Sequence, residues 1–311
     1  MTLSIVFMGT PDFSVPPLLA LHNRGYHIPL VITQPDRPKG RGQKLIQTPV
    51  KKTALELGLT VMQPPRINSD DMVAMIEAVK PDFFVVVAFG QLIGERLLSV
   101  PRFAAINIHG SLLPAYRGAA PIQRAIINGE SRTGITTMLM DKGMDTGDML
   151  LKESMDILDD DTSETLYNRL SLLGADLIVK TLDRYAAQSL TPEVQNPSFA
   201  THAPMLTKQE GLIDWTRSAK QLDCTIRGMN PWPGAFTFFS QKRLKIFKAL
   251  PLDITSQECP GTVLESRVDT LVVQTGQGAL SIREIQGDSG KRLPVSDFLR
   301  GFHIDKGQIL Q

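Results

Sequence analysis

"DFFVVVAFG", residues 82–90, decides the fold. From Phe83 to Phe89 no polar side chain interrupts the run, whereas a strand with one wet face alternates polar and apolar positions. A short run that is apolar on both faces, closed by Gly90, belongs in the middle of a parallel sheet covered on both sides. Such strands must be joined by crossovers, so helical patterns should alternate with further strands along the chain. They do. "LSIVFMG" (3–9) reads as a first strand, and "SVPPLLALHNRG" (14–25) as the helix after it, with Ser14 at the N-cap and Gly25 past the end. "IPLVITQ" (28–34) and "AAINIHG" (104–110) read as further strands. "ITTMLMDKGMDTGDMLLKES" (135–154) reads as two strands around a turn rich in Gly and Asp, and residues 163–188 carry a helical period. The expectation is an α/β domain with a Rossmann-like parallel sheet over residues 1–189.

Periodicity then breaks down. "LTPEVQNPSFATHAPMLTKQ" (190–209) gains prolines and reads as a linker, assigned to residues 190–208. "LIDWTRSAKQLDCTIRGMN" (212–230) reads as one amphipathic helix stopping at "PWPG", where Trp232 between two prolines reads as a packing anchor. Short strands follow at close spacing: "FTFFSQ", "RLKIFKALPL", "GTVLESR", "TLVVQTG" and "ALSIREIQ". That spacing predicts a small OB-like β-barrel over residues 209–311.

Composition excludes several classes. Of 311 residues, 42% are apolar and 21% charged, which is ordinary for a globular protein and long enough for two domains. The net charge of +1 favours no nucleic-acid partner by itself, so any such claim rests on local patches. No apolar run approaches a membrane span, and no basic n-region precedes the first strand. Cys224 and Cys259 stand in no metal-binding pattern, so no metal and a reduced, cytoplasmic setting are expected.

"AAINIHGSLLPAYRGAAP" (104–121) carries the chemistry. Alternation puts Ile106 and Ile108 on one face of the strand and Asn107 and His109 on the other. An isolated pair of this kind also serves as a hydrogen-bonded cap for the following loop. In an open α/β sheet, however, sites gather beyond the carboxyl ends of strands. "MDKGMDTGDML" (140–150) adds three carboxylates. Turn chemistry accounts for Asp141 and Asp148. With Asp145, the amide and imidazole complete a set suited to acyl transfer: a neutral donor for an oxyanion, a group that moves a proton, and a carboxylate that orients it.

The run Asn107, Ile108, His109, Gly110, Ser111, Leu112, Leu113, Pro114, followed by Asp145, Thr146, Gly147 and Asp148, resembles the active site of the 10-formyltetrahydrofolate-dependent formyltransferases. The likeness covers nearly the whole chain, including "GTPDF", "TQPDRPKGRG", "RGAAPIQ", "NPWPG" and the C-terminal strands. It implies that Asn107, His109 and Asp145 are catalytic. It also implies that Ser111, Leu112, Leu113 and Pro114 bind the folate, with Phe89, Gly90, Gln91, Leu92 and Ile93 as the second wall. The formyl donor would be 10-formyltetrahydrofolate, and the acceptor the α-amine of an initiator methionyl-tRNA. Two positions depart from the family pattern: a proline is common near Gly94, and a basic residue often stands where this chain has Ala115.

"QPDRPKGRGQKLIQTPVKK" (34–52) sets Arg37, Lys39, Arg41, Lys44, Lys51 and Lys52 against Asp36 alone. A solvated basic loop is one reading, and a nucleic-acid contact the other. The resemblance implies that this loop enters the acceptor end of the tRNA, with Arg41 the most important residue. Lys242, Arg243, Lys245 and Lys248 in "QKRLKIFKAL" add a second basic track for phosphate positioning. Three other readings compete with this one. A nucleotide-binding dehydrogenase fails because "FMGTPDF" lacks GxGxxG. A formyltransferase acting on a nucleotide-sugar amine would lack the basic insertion and a C-terminal barrel of this kind. A non-catalytic RNA-binding protein would not need Asn107, His109 and Asp145 together. The expected protein is a monomer with no membrane partner.

Overall fold

The computed structural model describes residues 3–39, 44–288 and 290–311. The chain packs as two units, one of Met1–Gly118, Thr133–Met155 and Tyr167–His202, the other of Ala119–Arg132, Asp156–Leu166 and Ala203–Gln311.

In the first unit, seven strands form one sheet. They are β1 (Ser4–Gly9), β2 (His27–Ile32), β5 (Val61–Met62), β6 (Phe83–Val87), β7 (Ala104–His109), β8 (Arg132–Leu139) and β9 (Met149–Asp156), in the order β5-β2-β1-β6-β7-β8-β9. A short antiparallel pair, β3 (Arg37–Lys39) and β4 (Lys44–Ile46), lies outside it. Strand β6 is central and buried at every position, and it pairs in parallel with both β1 and β7. The parallel sheet is thus Rossmann-like, with one difference: β8 runs antiparallel to β7. Helices α1 (Val15–Asn23), α2 (Pro49–Glu56), α3 (Asp70–Val79) and α4 (Glu95–Leu98) supply the crossovers. Strand order reverses between β1 and β6, so ligands are expected beyond the ends of these strands.

Sequence and packing agree on the two faces of β7. Ala105 joins Phe84, Val86, Met72 and Ile76 in one apolar cluster. On the opposite face Ile108 meets helix α6 (Ser163–Ala186) at Gly174, where an added Cβ would lie 3.0 Å from the Ile108 Cγ2. Glycine therefore lets α6 approach the sheet closely. Ser14 does occupy the N-cap of α1, but its hydroxyl makes no cap bond. It donates instead to the Val87 carbonyl at 2.7 Å, tying α1 to the end of β6.

In the second unit, α5 (Pro121–Ile127) packs beside α7 (Ala219–Gly228). The remaining strands are β10 (Ala235–Phe239), β11 (Lys242–Leu252), β12 (Val263–Arg267), β13 (Thr270–Gln274), β14 (Ala279–Gln286) and β15 (Leu293–Pro294), followed by α8 (Val295–Leu299). They form an antiparallel sheet in the order β10-β11-β14-β13-β12, with β15 on β14. Among the described residues no ladder joins the edge strands β10 and β12 directly. The chain end touches both sides: Leu310 N–H donates to Gly261 O at 2.9 Å, and Gln311 N–H to Phe238 O at 2.8 Å.

Two sequence expectations need correction here. The helix does not begin at Leu212. Asp214 accepts from the Thr216 N–H and hydroxyl in a local turn, and Ser218 forms a capping box with Gln221, which starts α7 at Ala219. Nor is Trp232 a packing anchor, since it is 52% exposed. The buried indole is Trp215, whose Nε1 donates to Thr237 Oγ1 at 3.0 Å inside the C-terminal core.

Arg124 and Glu210 form a close ion pair at 2.6 Å, and the Arg124 guanidinium holds the Glu210 carboxyl below the usual range. A depressed carboxyl contributes stability above its unfolded pKa and loses that contribution as pH falls through the folded value. Glu210→Gln should therefore lower the melting temperature at neutral pH, and thermal scans should show the difference from wild type closing below about pH 4.

Candidate active site

Asn107 and His109 project from one face of β7, opposite Met138 and Thr136 on β8. The chain between β8 and β9 folds over this face, bringing Asp145 to both. Asn107 Nδ2 donates to Asp145 Oδ1 at 3.4 Å, and His109 Nδ1 lies 3.6 Å from Asp145 Oδ2. Gly118 N–H also donates to Oδ2, at 2.9 Å. His109 is 5% exposed, and its Nε2 lies 2.9 Å from the Tyr116 carbonyl. A carbonyl only accepts, so Nε2 carries a hydrogen. Each group is thus oriented through at least one fixed partner.

The loop that carries Asp145 is tightly determined. Asp145 has φ +55°, a left-handed conformation that a non-glycine residue holds at a cost of roughly 1–3 kcal/mol. Gly147 passes so close to Leu139 that an added Cβ would overlap its carbonyl. Asp141 anchors the loop start, accepting from Gly143 N–H at 2.9 Å and Thr146 Oγ1 at 2.8 Å, as its turn chemistry predicts. Gly147→Ala should thus move the Asp145 loop; a kcat drop of at least about tenfold in turnover assays is expected, against an unchanged kcat if the loop tolerates the methyl.

A hollow of about 330 Å³ opens beside Asn107 and Asp145, lined also by Gln91, Leu92, Ile93, Gly94, Met138, Met140 and Met144. Leu92 is 82% exposed and Met144 66%, so the rim offers apolar side chains to solvent, beside the charged Glu95, Asp141 and Lys142. Gln91 is held by its amide, which accepts from Ile67 N–H and donates to the Pro64 carbonyl. Gly94 uses its N–H to donate to Asn68 Oδ1 at 2.7 Å.

The predicted wall of residues 89–93 is divided. Phe89 and Gly90 line a second hollow of about 480 Å³, with Thr10, Gln34, Arg37, Ile46 and Thr48. It lies beyond the ends of β1, β2 and β6, where the strand order reverses. Residues 111–114 line neither hollow. Ser111 and Leu113 are buried, and Leu113 packs with Met138 and Met149. Ser111 Oγ donates to the Ala115 carbonyl at 2.6 Å, and Leu113 N–H to Thr136 Oγ1 at 3.1 Å. Leu112 and Pro114 are half-buried, and the Leu113–Pro114 peptide is cis.

Within the basic stretch, Arg37–Lys39 and Lys44–Ile46 pair as β3 and β4, and Lys51 and Lys52 lie on α2. Arg41, and the side chains of Lys39 and Lys44, lie outside the described residues. Lys51 is paired with Asp36 at 2.6 Å; that ion pair and a hydrogen bond from Gln63 hold the Asp36 carboxyl below the usual range. Arg37 reaches Gln34 Oε1 at 3.5 Å. On β11 the four basic residues do not form one track. Arg243 stacks 3.6 Å from the centre of the Phe236 ring, and its Nε is buried with no hydrogen-bond partner among the described residues. Lys242 lies over Phe302, and a register shift around Ile246 turns Lys248 outward opposite Glu284.

Sequence reasoning missed one residue of the site. Gln195, in the proline-rich stretch, donates from Nε2 to the carbonyls of Asp145 at 2.8 Å and Gly147 at 2.7 Å. An irregular segment has no period by which such a side chain stands out. Among the described residues no group of three His, Cys, Asp or Glu side chains is placed to hold a metal ion, and both cysteines are free. No helix among them is long and apolar enough to cross a membrane.

Residues 3–182 match the formyl transferase family model, and residues 205–303 match the formyl transferase C-terminal domain. A methionyl-tRNA formyltransferase of Geobacter metallireducens is 50% identical over 98% of this chain and 97% of its own length. One from Caldanaerobacter subterraneus is 47% identical over 99% of each. Among solved structures, HypX from Aquifex aeolicus in complex with tetrahydrofolic acid superposes with a TM-score of 0.66 at 17% identity, covering 99% of this chain and 51% of that one. An N-formyltransferase of Helicobacter canadensis in complex with folinic acid and dTDP-3-aminofucose gives 0.66 at 17%, covering 94% and 100%. At that identity the two structures speak for the fold alone.

Proposed function

The chain belongs to the formyl transferase family, and from that premise we propose how it acts: it moves the formyl group of 10-formyltetrahydrofolate to the α-amine of initiator methionyl-tRNA, giving N-formylmethionyl-tRNA. One observation carries the reading: Asn107 and Asp145 line one hollow with His109 against Asp145, in a chain that matches methionyl-tRNA formyltransferases along nearly its full length. The α-amine attacks the formyl carbon on N10 of the folate, and the carbonyl oxygen becomes an oxyanion. Asn107 has two N–H donors. One faces Asp145, which leaves the other for that oxyanion. His109 donates to it as well, exchanging the Tyr116 carbonyl for substrate. Asp145 orients both and takes the proton of the attacking amine, directly or through water. Collapse of the intermediate breaks the N10–formyl bond, and the proton taken from the amine passes to N10, directly or through His109 or water, so that tetrahydrofolate leaves with N10 neutral. The hollow lined by residues 91–93 takes the folate ring, with residues 111–114 as the packed floor behind His109.

Residues 1–189 carry the chemistry, residues 190–208 link, and residues 209–311 bind tRNA. The C-terminal sheet is read as an OB-like barrel, an idea supported by the chain end that bonds to both sides of it. Phosphates are met by Arg37, Lys39, Arg41 and Lys44 of the basic stretch, and by Lys242, Lys245 and Lys248, while Arg243 is engaged on the Phe236 ring. The enzyme is taken to work as a cytoplasmic monomer without a metal; dialysis against a chelator should leave turnover unchanged.

The decisive assay incubates the protein with methionyl initiator tRNA and 10-formyltetrahydrofolate and detects formylmethionyl-tRNA. Formylation of a nucleotide-sugar amine, with none of the tRNA, would overturn the acceptor. Binding of the tRNA should weaken linearly on a logarithmic salt scale, with a slope near −0.9 per phosphate contact on paired stem, and Arg41→Ala should lower affinity. A flat salt response would count against phosphate recognition.

A further inference from the structure

We propose that Gln195 is a positioning residue for this reaction, holding Asp145 in register with His109 through the backbone. The inference rests on Asp145 being catalytic. Gln195 is 5% exposed and saturated with hydrogen bonds. Its Nε2 donates to the Asp145 and Gly147 carbonyls, and its Oε1 accepts from Arg117 Nε at 3.0 Å and Nη2 at 2.7 Å. Two carbonyls at one end and a guanidinium at the other leave only one orientation for the amide.

The two stretches it joins are the ones that hold the reacting pair. On one side stands Asp145, left-handed at φ +55° and dependent on its surroundings to stay so. On the other, Tyr116 offers its carbonyl to His109 Nε2, and Gly118 its N–H to Asp145 Oδ2. Residues around Gln195 are fixed independently. Glu193 and Met149 exchange backbone bonds at 2.8 Å, Arg117 N–H donates to the Thr201 carbonyl at 2.8 Å, and Tyr116 N–H to Thr201 Oγ1 at 2.8 Å. The bridge is thus a clamp between two held segments. Releasing it lets the carboxylate drift from an imidazole already 3.6 Å away. A misplacement of about 1 Å at a reacting group costs on the order of 100-fold in rate.

Steady-state formylation of methionyl initiator tRNA by the full chain tests this. Gln195→Ala is expected to lower kcat roughly 10- to 100-fold while KM for 10-formyltetrahydrofolate stays within about threefold. In an Asp145→Asn background the same change should cost less than about threefold more, because its effect acts through that carboxylate. Should Gln195→Ala fail to fold, Gln195→Glu keeps the size and the Arg117 contact but turns an oxygen toward the two carbonyls, and the same fall in kcat is expected. Wild-type kcat in a folded Gln195 variant, or an undiminished loss in the Asp145→Asn background, overturns the inference. If Asp145→Asn itself retains wild-type kcat, the catalytic assignment of Asp145 fails instead.

Discussion

Asp145→Asn is expected to lower kcat about a thousandfold, within the range of 10²–10⁴ that a positioned proton-transfer group contributes. The change keeps the size of the side chain and one oxygen, so the bond from Gly118 N–H or that from Asn107 Nδ2 survives, but not both. The charge disappears from beside His109. Melting temperature should change little, since the loop remains held by Asp141, Gln195 and the close approach of Gly147 to Leu139. KM for the folate should also hold, because Asn matches Asp in size and the other residues that line the hollow, Leu92, Ile93, Met140 and Met144 among them, are untouched. Asn107→Ala and His109→Ala should each lose about 10²–10³ in kcat as oxyanion donors. Turnover within tenfold of wild type in Asp145→Asn would sink the proposed acid–base role.

Trp215→Ala is expected to cost about 3–5 kcal/mol of stability, the usual range for truncating a buried aromatic. The indole is 5% exposed, packs in the C-terminal core, and donates to Thr237 Oγ1, which in turn donates to the Gln311 carbonyl at 2.8 Å. Truncation leaves a cavity and removes one partner from that chain. Trp232→Ala, by contrast, removes a ring that is 52% exposed and should change stability by no more than about 0.5 kcal/mol. Denaturant titrations of the two variants give the comparison directly. Equal losses would restore Trp232 as the anchor that its flanking prolines suggest.

These two tests fall where sequence and structure part. The parallel sheet was legible because burial on both faces leaves a run such as Phe83 to Val87 with no polar position. The shared face of Asn107 and His109 was legible because strand side chains alternate with a period of two. Family likeness then assigned Asp145, 38 positions downstream of Asn107, without saying what holds it. Trp232 reads as an anchor from its flanking prolines, but prolines mark a turn and not its depth. The start of α7 is masked because apolar spacing runs through Leu212 to Ile226, while the Ser218 capping box that ends the competing turn is a four-residue signal.

What the sequence determined by itself is therefore periodic or strictly local: the longer strands, their faces, the basic character of residues 34–52, and the residue types that acyl transfer needs. What only the tertiary structure decided is which loop lands on which face. The Asp145 carboxylate meets His109 because the β8–β9 loop folds back over β7, and Gln195 reaches that loop from a segment with no period at all. The reason is physical. Periodicity reports the side of an element on which water is excluded, whereas hydrogen bonds between irregular segments depend on distances that close only when the sheet has formed.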